Sequence, residues 1–247
     1  EAMRGVDQVY HLAAMISVPE SMLKPRECVD LNVTGTLHVL EAAEAARVRK
    51  VVLASSAAVY GDNPTVPKVE TMLPEPKSPY AVTKLDGEYY LDLFRRDRGL
   101  ATTSLRFFNV FGPRQDPKSP YAAAVPIFIE KAVKGEPIGI FGDGEQTRDF
   151  IYVKDIIGAL TFAANNPDMG GVYNVGYGRK MTVKSLAEEV IRLTGSTSLI
   201  EHKPERPGDI KHSMASSDKL QQAGWQPRHS VAEGLGATVA YFKSLKA

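Results

Sequence analysis

Residues 50–54 read KVVLA, an apolar run with no polar residue alternating along it. A strand of that kind must bury both faces, which is the habit of a parallel sheet covered by helices on its two sides. Residues 6–14, bounded by Gly5, form a second such run and are read as a buried strand. Between them Pro25 suits a first helical turn, and Cys28, Leu31, Val39, Leu40 and Ala43 recur at helical spacing through residue 47. Residues 61–77 hold Pro64, Pro67, Pro74 and Pro76 and are read as a loop. A helix over 79–98 follows, ended by Gly99, and then a third strand over 101–108. Strand, helix, strand, helix and strand in that order predict an α/β fold, a doubly wound Rossmann-like parallel sheet with right-handed crossovers.

Beyond Asn109 the pattern is mixed. Residues 112–117 are irregular, 125–133 helical, and 137–141 a short strand turned by Gly142, Asp143 and Gly144. Tyr152 and Val153 are read as opening another strand, 155–164 as a helix, and 172–175 as a strand. Helices over 182–193 and 230–245 close the chain. This half is read as a smaller mixed α/β substrate lobe.

Composition excludes more than it assigns. A net charge of +1 over 247 residues gives no field that draws nucleic acid or an anionic membrane. No apolar run reaches the roughly 18 residues a spanning helix needs. The single cysteine, Cys28, fits a reducing cytoplasm and is read as a buried small residue. His11, His38, His202, His212 and His229 never fall at metal-ligand spacing, so no metal is predicted.

Chemistry gathers at Tyr80 and Lys84, four apart and therefore on one helical face. A phenol is a poor base at neutral pH, and a neighbouring ammonium favours its phenolate. Ser55 and Ser56 place hydroxyls at the end of a strand, where α/β sheets keep their active sites. The bare Tyr-xxx-Lys spacing is common on amphipathic helices; its place after KVVLASS and before TTSLRF makes it specific.

With these motifs in order, the sequence resembles the extended short-chain dehydrogenase/reductase family. Within it, the likeness is to UDP-hexose and UDP-N-acetylhexosamine 4-epimerases, from residue 6 to about residue 227. The resemblance implies NAD as cofactor and a UDP-sugar as substrate. It implies that Ser56, Tyr80 and Lys84 are catalytic. HLAA (His11, Leu12, Ala13, Ala14), Asn32, Ser55, Tyr80, Lys84 and Phe108 would lie at the cofactor. Ser56, Asn109, Ile140, Arg148, Arg206 and Asp209 would lie at the nucleotide sugar, with Arg148 and Arg206 on the phosphates and Asp209 on the uridine ribose. Ser213 aligns where strict glucose/galactose enzymes carry a bulky residue, so an N-acetyl group would fit. A homodimer packed through helices 25–47 and 79–98 is also implied.

Related dehydratases and decarboxylases place an acid just after the catalytic hydroxyl. Ala57 and Ala58 stand there instead, so the reaction expected is 4-epimerisation. UDP-uronate epimerisation, other nucleotide-sugar redox chemistry and non-catalytic UDP-sugar binding are the alternatives. The glycine-rich GxxGxxG turn of the family is not seen before His11, so the sheet is expected to lack its first strands, about sixty residues' worth. Residues 1–112, joined by about 145–176, are assigned to the NAD-binding domain, and 113–247 mostly to the nucleotide-sugar lobe.

Overall fold

The computed structural model describes residues 1–118, 123–205 and 211–245. The chain runs β1 (Gln8–His11), α1 (Val18–Leu23), α2 (Pro25–Val29), a π turn (Asp30–Thr34), α3 (Gly35–Ala45) and β2 (Lys50–Ser56). A 3-10 turn (Ala57–Tyr60), α4 (Pro79–Arg98), β3 (Thr102–Phe107), β4 (Asn109–Phe111) and α5 (Ala124–Lys134) come next. Then follow β5 (Ile138–Phe141), β6 (Thr147–Arg148), β7 (Phe150–Tyr152), α6 (Val153–Asn165) and β8 (Gly171–Val175). The last elements are β9 (Met181–Thr182), α7 (Val183–Thr194), β10 (Ile200–Lys203), α8 (Asp218–Gln222) and α9 (Val231–Ser244). Contacts group them into two units: Glu1–Phe108 with Ile157–Val175 and Ser216–Gln226, and Asn109–Ile156 with Gly176–Ala215 and Pro227–Ala247.

The first unit is built on a four-stranded sheet, β1-β2-β3-β8, parallel throughout. Central β2 is buried from Lys50 to Ser55, which is why its sequence shows no alternation. Its Val51 and Leu53 pack with Leu40, Ala43, Leu91 and Phe94 of the covering helices. Because the strands are parallel, His11, Ser56 and Phe107 end at the same edge. Lys50, at the opposite edge, is fully buried and donates to the carbonyls of Pro167 and Met169. Helix α4 has the ends its sequence announces. Ser78 caps it through the Ala81 N–H, Pro79 opens it, Gly99 closes it at φ 70, and three arginines sit in its last turn.

The second unit has three two-stranded pairings: β4 with β7 and β5 with β10, both parallel, and β6 with β9, antiparallel. Its core joins Phe111, Phe128, Ile138, Leu186 and Leu235. Gly234 lets α9 come so close that a Cβ there would lie 2.8 Å from the Tyr152 ring and 2.9 Å from Phe111. Ser230 and Glu233 cap α9 reciprocally.

Several sequence expectations need correction. The first strand covers only Gln8–His11, and Leu12 is 50% exposed, because β1 is an end strand of this sheet and the chain leaves it at its carboxyl edge. The helix expected over 25–47 is interrupted by the π turn at Asp30–Thr34. Tyr152 ends a strand, and Val153 already starts a helix. Helices α1 and α8 and strand β10 were not anticipated; each is only four to six residues long, too short for a periodic signal.

Candidate active site

Ser56 closes β2 and caps the 3-10 turn behind it, its Oγ accepting from the Ala58 N–H at 3.1 Å. The turn is held by Gly61, whose φ of 54 and approach to the Glu75 carbonyl leave no room for a side chain: a Cβ would lie 2.0 Å from that oxygen. Tyr80 lies in the first turn of α4 and Lys84 one turn on. The Lys84 Nζ donates to the Ala54 carbonyl at 2.8 Å and lies 5.8 Å from the Tyr80 ring centroid. Burial pushes the Lys84 amine down to about 8, with Cys28 acting the other way. Burial pushes the Tyr80 phenol up; a hydrogen bond with Ser56 works against this, and Cys28 adds to it. Half-buried Ser56 and Tyr80 and buried Lys84 thus form one cluster, brought together at the carboxyl edge of a parallel sheet.

Two buried hydrogen-bond chains brace the cluster. His11 meets the Thr36 Oγ1 at 2.8 Å, and Thr36 gives its only hydrogen to the Asn32 carbonyl. His11 must therefore donate from Nε2, and burial together with the charge of Lys84 holds its pKa below the ordinary imidazole value. Asn32 lies in the π turn, whose extra residue rotates the side chains that follow. Its amide accepts from Met15 N (2.7 Å) and donates to Met15 O (3.1 Å) and to Thr83 Oγ1 (2.9 Å). Thr83, between Tyr80 and Lys84 in sequence, donates in turn to the Tyr80 carbonyl. The Asn32 side chain, assigned by resemblance to the cofactor, is thus engaged by the protein itself. Cys28 is fully buried beside Thr83.

Of the other cofactor candidates, Leu12 and Ala13 stand exposed where the chain leaves β1, and Ala14 is half-buried. Ser55 is buried and donates to Glu88. Phe108 is buried, with its ring 6.4 Å from that of Tyr60. The donor set suits a dinucleotide ribose. An ammonium has three hydrogens, and the one Lys84 gives to Ala54 leaves others for a hydroxyl at an open sheet edge.

The second unit contains a cavity of about 770 Å³ lined by Asn109, Ile140, Phe141, Arg148 and Lys203 among others. Asn109 donates from Nδ2 to the Asp149 carbonyl, and Arg148 donates from Nη1 to the Thr147 carbonyl. The buried Asp149 carboxylate accepts from the N–H groups of Tyr177, Gly178 and Ala215. It thereby fixes the segment holding Ser213, whose own N–H donates to Thr147 O. An aromatic and aliphatic lining with arginine and lysine at hand suits a nucleoside diphosphate in size and charge. Arg206 and Asp209 lie outside the described residues. Among the described residues no group of three or more His, Cys, Asp or Glu side chains could hold a metal, and no helix is long and apolar enough to cross a membrane.

Sequence comparison gives this geometry a family. The profile of the NAD dependent epimerase/dehydratase family matches residues 1–176. A UDP-glucose 4-epimerase of Mycolicibacterium smegmatis is 39% identical over 238 residues, 96% of this chain and 76% of the relative. A UDP-N-acetylglucosamine 4-epimerase of Methanobrevibacter ruminantium, solved with UDP-N-acetylmuramic acid, superposes with a TM-score of 0.96 at 42% identity. The match covers 99% of this chain and 79% of that one. A UDP-glucose 4-epimerase of Thermus thermophilus, solved with NAD, gives 0.87 at 37% identity, covering 96% and 78%. The chain belongs to the NAD-dependent epimerase/dehydratase family, and NAD is its cofactor.

Sequence reasoning passed over Thr36, Thr83 and Arg106. The last carried a signal: an arginine inside the strand TTSLRF, expected to be covered by helices, asks for a buried partner.

Proposed function

We propose that the protein interconverts UDP-hexoses at C4 by transient oxidation. The observation that carries this reading is the cluster of Ser56, Tyr80 and buried Lys84, with Ser56 followed in the chain by Ala57 and Ala58. Tyr80 takes the proton of the sugar 4-hydroxyl while Ser56 shares it, and the Lys84 ammonium favours the phenolate. NAD, when bound, accepts the C4 hydride and later returns it. The 4-keto sugar turns about its bond to the diphosphate, and Tyr80 gives the proton back on the other face. No acid stands at Ala57 or Ala58 to protonate a leaving 6-hydroxyl, which favours epimerisation over dehydration.

Arg148 and Asn109 are assigned the diphosphate and Ile140 and Phe141 the uracil, supported by their place in one cavity. Arg206 and Asp209 keep the phosphate and ribose roles implied by resemblance. The small side chain of Ser213 supports acceptance of a C2 N-acetyl group. Incubating the purified protein and NAD with UDP-glucose, UDP-GlcNAc and UDP-glucuronate, with products read by NMR, tests the assignment. UDP-galactose and UDP-GalNAc are expected, with turnover reduced about a thousandfold in Tyr80→Phe. Inertness toward both hexoses contradicts the proposal; inertness toward UDP-GlcNAc alone removes the role of Ser213.

A further inference from the structure

Helix α4 presents Tyr80, Lys84 and Glu88 at successive four-residue steps, so all three share a face. The chemistry uses only the first two. Glu88 is nevertheless buried, and its carboxylate is crowded. Oε1 accepts from the hydroxyl of Ser55 and from Arg106 Nε at 2.8 Å, and Oε2 from Arg106 Nη2 at 2.7 Å. Ser55 immediately precedes Ser56. Ala54, immediately before it, receives the Lys84 ammonium. Consecutive residues at the end of β2 are thus tied one after another to the catalytic helix. Gly87 permits the close approach, since a Cβ there would meet Leu53 at 2.9 Å.

Stability alone is a poor explanation for this arrangement. A buried ion pair returns little net stabilisation, and well-packed apolar side chains often do better. Nη1 of Arg106 makes no well-aligned hydrogen bond among the described residues, and the guanidinium has the Tyr60 side chain as its further neighbour. What a bidentate guanidinium–carboxylate contact gives that an apolar contact does not is a fixed distance and angle. Arg106 also lies 4.7 Å above the Tyr60 ring, and the Tyr60 hydroxyl donates to Asn174 at 2.7 Å, which carries the same brace across to β8.

The structure assigns Glu88 a positioning role: clamped by Arg106, its carboxylate holds the strand end carrying Ser56 at a set distance from the helix carrying Tyr80 and Lys84. This rests on the reading of Ser56 and Tyr80 as the proton-handling pair. The groups facing the Tyr80 phenol are Ser56 from β2, Lys84 from its own helix and Cys28 from α2.

The test uses Glu88→Gln, nearly isosteric, and Ser55→Ala, which removes one hydroxyl and leaves the ion pair. In Glu88→Gln, kcat is expected to fall about 10- to 100-fold with KM within twofold of wild type, the signature of lost alignment rather than lost binding. Ser55→Ala should fall less, and the double variant no further than Glu88→Gln alone, because both act through one contact. A readout independent of turnover is the 13C NMR titration of the Tyr80 ring, assigned by its disappearance in Tyr80→Phe; it should shift in both variants. Wild-type kcat and an unmoved Tyr80 titration in folded Ser55→Ala and Glu88→Gln proteins would overturn the assignment, even if their melting temperatures drop. Should Glu88→Gln not fold, Ser55→Ala decides by the same two readings. Should Tyr80→Phe retain turnover, the proton-handling reading fails, while the titration still reports whether Glu88 sets the spacing.

Discussion

Lys84 keeps an amine inside the protein, against the cost of desolvating a charge, and that cost sets a pH dependence. Burial brings its pKa down to about 8 and pushes the Tyr80 phenol up, so the amine gives up the first proton as pH rises. In the proposed mechanism the reactive form has lost one proton from the phenol and kept one on the lysine. It shares its proton count with the form that has neutral Lys84 and intact Tyr80, so the two grow together as the pair loses its first proton. kcat/KM should therefore climb with pH through about 8 and then level off. In Lys84→Met the phenol titrates alone, and the rise should move above the ordinary tyrosine range. A pH–rate midpoint unchanged by Lys84→Met would remove Lys84 from the proton chemistry.

At the scale of elements, α4 does two things. Its inner face carries Tyr80, Lys84 and Glu88, and its outer face leaves Val82, Tyr89 and Leu93 exposed, as α2 and the π turn leave Val29 and Leu31. Such apolar faces on two long neighbouring helical segments support, as a proposal, the homodimer that the family resemblance implies. A native mass of two chains is expected by analytical ultracentrifugation, falling to one in Leu93→Asp. A wild-type mass of one chain would contradict the proposal. The ends of α4 were legible in the sequence because Ser78, Pro79 and Gly99 act locally. The π turn was not, because Asn32 is drawn inward by Met15 and Thr83, partners 17 and 51 residues away. The Glu88–Arg106 contact was hidden for the same reason: the sequence contains both charges but not their pairing across helix and strand.

Over the whole molecule, the parallel sheet could be read from the unalternated central strand β2, since burial on both faces leaves a compositional trace within that one strand. The second unit was less legible. Its pairings join strands of two to four residues, and its fixed point, Asp149, collects N–H groups from segments far apart in sequence. The sequence singles out Ser56, Tyr80 and Lys84 as a group because they lie near one another in the chain and one helix sets two of them. The reaction proposed for them is open to a direct isotopic test. Purified protein and NAD would be given UDP-glucose deuterated at C4, with the deuterium located in the product by NMR. Epimerisation by oxidation and return at one carbon predicts UDP-galactose with deuterium still at C4. Deuterium moved to C6 of a 4-keto-6-deoxy sugar, or lost to solvent, would contradict it.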